Sequence, residues 1–98
     1  MKMVLLMYLE EDEETVEEIL ESRGVVAFSS LEMQGHGAGE PGWYGEVPPY
    51  RSRMVFAVLP DQAARGLLGA IRDARGVADP SHPIHAVQLA VEDMAECR

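Results

Sequence analysis

Hydrophobic and polar positions follow two rhythms along this chain, and the changes of rhythm mark its elements. Met3-Val4-Leu5-Leu6-Met7-Tyr8-Leu9 is apolar throughout, which predicts a strand covered on both faces. The acidic run Glu10-Glu11-Asp12-Glu13-Glu14 then opens a helix, where carboxylates complement the positive end of the dipole. Val16, Ile19 and Leu20 give that helix one apolar stripe, with Glu17, Glu18 and Glu21 outside it. Gly24, after Ser22-Arg23, takes the position that ends a helix. Val25 to Gln34 predicts a second strand, whose end alternates Leu31 and Met33 with Glu32 and Gln34.

The same order returns further along. Arg53 to Leu59 predicts a third strand, and Pro60-Asp61 starts a second helix with Asp61 as its N-cap. Leu67, Leu68, Ile71 and Ala74 carry the buried stripe of that helix, and Arg75-Gly76 closes it. Gly66 and Gly69 weaken it relative to alanine and suit close approach by a neighbour. Ile84 to Glu92 predicts the last strand. Met3-Val4 matches Met54-Val55, and Arg23-Gly24-Val25 matches Arg75-Gly76-Val77. A duplicated β-α-β unit of this kind predicts an α+β fold, the ferredoxin-like β-α-β-β-α-β sandwich, as one domain over residues 1–98.

Two helices cover only one face of such a sheet. Yet the third strand has Met54, Phe56 and Val58 on one face and Val55, Ala57 and Leu59 on the other. The first strand divides likewise, Val4, Leu6 and Tyr8 against Met3, Leu5, Met7 and Leu9. An apolar open face predicts a symmetric homo-oligomer.

Between the second and third strands, at about 35–52, lies a segment too rich in glycine and proline to continue either. The stretch Gln34 to Arg51 holds five of the nine glycines and three of the six prolines. Loops beyond about 12–15 residues are usually functional or disordered. Trp43, Tyr44, Val47 and Tyr50 are unlike a solvated linker, so a mobile loop that gains order on a ligand or partner is expected.

A formal net charge of −9 argues against nucleic acid or anionic membranes as partners. A single cysteine, Cys97, excludes an internal disulfide framework and suits a reducing compartment, and no redox or metal role is expected for it. The opening apolar run is too short to span a bilayer and lacks a cleavage site, so a cytoplasmic location is expected.

Candidate chemistry gathers at the two ends of the long loop. Gly35-His36-Gly37 can bring backbone N–H groups close to an anion or a purine. Arg51 and Arg53 at the loop's exit, with Arg75 at a helix end, can neutralise phosphates or pair with the many carboxylates. His36, His82 and His85 suggest a metal, but residues three apart on a strand face opposite ways, so His82 and His85 are expected to line a cleft or an ordinary turn instead. No nucleophile elbow, phosphate-binding Walker loop or paired-cysteine motif is present, and no catalytic residue is assigned.

The layout resembles the PII signal-transduction proteins and their PII-like relatives. The resemblance rests on a strand ending in Gly35-His36-Gly37, the long loop, a strand ending in Leu59-Pro60-Asp61, and a final strand ending in Val91-Glu92. It implies a homotrimer with sheets facing inward and a projecting T-loop. It further implies adenine nucleotides or other small anions in the inter-subunit clefts, bound near Gly35, His36, Gly37, Arg51, Arg53, Arg75, His82 and His85. The loop, through Trp43, Tyr44 and Tyr50, would engage a membrane transporter or an enzyme. Nitrogen-regulatory PII proteins carry Gly-Asp-Gly-Lys where this chain reads Ala78-Asp79-Pro80-Ser81-His82-Pro83, which marks a divergent, PII-like protein. Trp43-Tyr44-Gly45-Glu46 resembles the loop of CutA, so a trimer binding divalent metal is one alternative. A small ferredoxin-like enzyme acting on an apolar substrate, with His36 or His85 as acid and base, is the other.

Overall fold

The sheet is built outward from β1 (Lys2–Leu9). The computed structural model describes residues 1–36, 50–74 and 82–97. A short 3-10 turn (Glu10–Asp12) leads from β1 into α1 (Glu13–Ser22), followed by β2 (Ser29–Gly35), β3 (Tyr50–Leu59), α2 (Asp61–Arg72) and β4 (Ile84–Ala90). The strands lie in the order β2-β3-β1-β4, all antiparallel, with both helices packed on one face. This is the ferredoxin-like arrangement that the duplicated pattern predicts.

Strand parity decides which side chains meet the helices. Cross-strand partners share a face, and the register pairs Val4 with Ala57, Leu6 with Val55 and Tyr8 with Arg53. Val4, Leu6, Tyr8, Val55, Ala57 and Leu59 are therefore buried against Val16 and Leu20 of α1 and Ala64 and Leu67 of α2. Each fully buried Val or Leu contributes roughly 1.5–3 kcal/mol by leaving water. The other face carries Met3, Leu5, Met7, Leu31, Met54, Phe56, Val58, Val87 and Leu89. None of these is fully buried, and Leu31 and Leu89 are about half exposed, at 46% and 49%. The doubly apolar strands thus leave an apolar face open, as their sequence requires.

Gly24 ends α1 with a left-handed backbone, φ +70°. Its N–H donates to the Glu21 carbonyl at 3.0 Å, and the Val25 N–H to the Leu20 carbonyl at 2.9 Å. These are the paired bonds of a Schellman cap, and Val25 joins Leu20 in the core.

Several expectations are corrected. β2 begins at Ser29, leaving Val26 and Phe28 exposed before it, and β3 begins at Tyr50 rather than Arg53. Asp61 does not cap α2 with its side chain; it is paired with the Met1 amino group at 2.7 Å. Gly66 and Gly69 do not serve a close approach among the described residues, because a methyl group on either would meet nothing there within 4 Å.

Candidate functional site

Of the residues singled out at the two ends of the 35–52 segment, Gly35, His36, Arg51 and Arg53 lie together where β2 stops and β3 starts. Gly35 and Tyr50 are cross-strand partners, followed inward by Gln34 with Arg51, Met33 with Ser52 and Glu32 with Arg53. Gly35 is required here by packing. A Cβ at this position would collide with the edge of the Tyr50 ring. The ring is buried with Leu9, and Met7 packs against the pair. Tyr50 is therefore not a loop anchor held out to a partner, as its place beside the prolines suggested. It belongs to the sheet.

Arg53 and Arg51 point to the helix face but have different surroundings. Arg53 lies 3.0 Å from Glu13, 3.0 Å from Glu32 and 3.6 Å from Glu10. Its side chain is 20% exposed, and Nη2 donates a hydrogen bond to Glu32 Oε1. Three carboxylates from the 3-10 turn, α1 and β2 thus converge on it, so the pairing with carboxylates that was one of its two expected roles is present. Arg51 is 89% exposed and among the described residues pairs only with Glu10, at 3.9 Å. Its guanidinium is thus largely open to solvent. His36, exposed just beyond β2, stands at the same end of the sheet.

Tyr8, opposite Arg53 on the helix face, feels the same cluster. Burial pushes its phenol up to about 12, the Glu13 charge pushes the same way, and Arg53 opposes them.

The two other histidines are far apart in role. His82 Nδ1 lies 3.2 Å from the Asp12 carboxylate and 3.8 Å from that of Glu11, tying the approach to β4 to the 3-10 turn. His85 pairs with Met7 on the open face. Among the described residues no group of three or more His, Cys, Asp or Glu is placed to hold a metal ion. Gly37, Trp43, Tyr44 and Arg75 lie outside the described residues.

Ser52 was not singled out by the sequence. Its side chain is 1% exposed, and its hydroxyl has no partner among the described residues. It stands between Leu9 and Met33 on the open face. A signal for it existed: Tyr50, Ser52, Met54, Phe56 and Val58 share one face, and serine is the polar interruption in that apolar row. A buried hydroxyl without a partner costs about 1–3 kcal/mol. Ser52 also lines a cleft of about 390 Å³ with Glu10, Glu32, Met33, Gln34 and Arg51.

No protein-family profile matches the chain, and a search of curated proteins finds no match. Solved structures do resemble it. A PII-like signalling protein from Thermus thermophilus superposes with a TM-score of 0.63 at 14% identity, over 90% of this chain and 83% of that one. CPII, a nitrogen regulatory PII-like protein from Thiomonas intermedia bound to ADP, AMP and bicarbonate, superposes with a TM-score of 0.63 at 18% identity, over 94% of both chains. CPII bound to ADP and bicarbonate gives 0.60 at 19% identity, over 90% of this chain and 86% of that one. The chain has the fold of the PII-like proteins, in a divergent sequence. No helix among the described residues is long and apolar enough to cross a membrane.

Proposed function

We propose that this chain is a PII-like regulatory protein rather than an enzyme. It forms a homotrimer through the open sheet face and binds a small anion, an adenine nucleotide or bicarbonate, where the long loop meets the sheet. The loop then passes the state of that site to a protein partner. The observation that carries this reading is the apolar open face, which runs at its loop-bearing end into the buried Ser52 hydroxyl, with exposed Arg51 beside it. A site at the rim of a self-association surface is completed by the neighbouring copy. The fold shared with CPII, which binds ADP, AMP and bicarbonate, supports the choice of ligands.

The test combines mass and ligand response. Sedimentation equilibrium is expected to give three times the chain mass, and ADP, AMP or bicarbonate to raise the melting temperature, since a ligand selective for the native state stabilises it. Trp43 is the only tryptophan, so its emission reports on the loop and should change with the same ligand. A stable monomer with no ligand-dependent shift overturns the proposal. A trimer whose confirmed ligand leaves Trp43 emission unchanged removes the loop from the mechanism.

A further inference from the structure

Three of the chain's eight basic residues, Lys2, Arg65 and Arg72, line one groove on the helix side of the molecule. The groove measures about 490 Å³ and is completed by Asp61, Leu68 and Gln88. Asp61, Arg65, Leu68 and Arg72 fall on a single stripe of α2, because helical positions three and four apart stack on one face. Lys2 and Gln88 bring the other wall from β1 and the edge strand β4, whose register puts both on the helix face.

The charge pattern here runs against the rest of the protein. With seventeen acidic residues to eight basic ones, a cation in this chain finds a carboxylate easily, as Arg53 does. Lys2, Arg65 and Arg72 have no carboxylate at ion-pair distance among the described residues, apart from the longer-range pull of Asp61 on Lys2 and Arg65. The Asp61 carboxylate is itself engaged by the Met1 amino group at 2.7 Å. Like charges held together repel, and an anion between them removes that repulsion. Two planar guanidinium forks and one ammonium suit the several oxygens of a phosphate chain better than a lone carboxylate. The volume is also sufficient for a small molecule, since ligand pockets usually measure about 300–1,000 Å³.

We infer that the groove between α2 and the edge of the sheet is a binding site for a small phosphate-bearing ligand, separate from the loop-bearing end. Lys2, Arg65 and Arg72 hold the phosphate oxygens, and the Gln88 amide adds a neutral donor. The site does not depend on the proposed regulatory function. It lies on the helix face, so association through the open face leaves it accessible.

Inorganic pyrophosphate is the probe, titrated into the isotopically labelled full chain at constant ionic strength and followed by amide chemical shifts. Saturable shifts are expected at Lys2, along 61–72 and at Gln88, with little change at His36 and Arg51. In the double variant Arg65→Gln/Arg72→Gln the affinity should fall at least about tenfold, equivalent to ~1.4 kcal/mol. Arg23→Gln, which removes an exposed arginine at the end of α1, should leave it unchanged. Shifts that do not saturate, shifts centred on the loop-bearing end, or equal affinity in the double variant overturn the assignment. The shift map of the unaltered chain decides the matter if the double variant does not fold.

Discussion

The Tyr50 ring lies against the Cα of Gly35, so close that a methyl group at position 35 would collide with its edge. That contact closes the sheet at the end of β2 and the start of β3, and it makes Gly35 a packing requirement. Gly35→Ala is expected to destabilise the chain by about 1–3 kcal/mol, the usual cost of overpacking. In urea denaturation the double variant Gly35→Ala/Tyr50→Ala should lose less than the sum of the two single variants, because the second change removes the clash created by the first. Additive losses would mean that the ring and the glycine are independent.

Arg51 and Arg53 should separate function from stability. Arg53→Ala leaves Glu10, Glu13 and Glu32 facing one another and should lower the urea midpoint, with part of the loss recovered in high salt. Arg51→Ala should change stability by less than about 0.5 kcal/mol, as exposed substitutions do. It should weaken the melting-temperature response to ADP or bicarbonate. If Arg53→Ala is as benign as Arg51→Ala, the three-carboxylate cluster is not what holds this end of the sheet.

Alkaline stability should depend on Tyr8. Its phenol ionises at about 12 in the folded chain. In the unfolded chain it ionises near the ordinary tyrosine value of about 10. The folded state thus holds this proton more tightly, and the contribution is intact below the unfolded value and lost as pH rises through the folded one. Between about pH 10 and pH 12 the chain should lose up to roughly 2–3 kcal/mol on this account, the equivalent of the shift. Tyr8→Phe should flatten that part of the profile in denaturation measured across the range. An unchanged slope would assign the loss to other groups.

Gly66→Ala and Gly69→Ala should stabilise α2, since each added methyl group meets open space. The expected gain is up to about 1 kcal/mol each, read from the thermal midpoint. A loss of stability, or a fall in the mass of the assembly, would instead show that a neighbouring molecule packs against these glycines.

Phe56→Glu places a charge in the middle of the open face, beside Leu5 and Ser29 in the register. The variant should remain folded, because Phe56 is not part of the core between sheet and helices. It should sediment as a monomer and lose the response to ADP or bicarbonate. An oligomer of unchanged mass would place self-association on another surface.

Much of this molecule follows from its sequence alone, because short periodicities record burial directly. The strands apolar at every position, Met3 to Leu9 and Met54 to Leu59, required cover on both sides. The stripes Val16-Ile19-Leu20 and Leu67-Leu68-Ile71 required a single sheet face beneath two helices. Gly24 announced the left-handed end of α1 in the same way. Tertiary structure decided what depends on residues distant in the chain. Arg51 and Arg53 stand two positions apart on one face, and only the approach of Glu10, Glu13 and Glu32 makes one structural and leaves the other exposed. Tyr50 read as loop until the strand register laid it over Gly35. His82 read as lining a cleft or a turn, and only the fold sets it 3.2 Å from Asp12. Lys2, Arg65 and Arg72 carried no local pattern, and they form a groove because the fold returns α2 alongside the start of β1 and the edge strand. Periodicity specifies which faces must be covered; charge pairing and close packing depend on which distant residues do the covering.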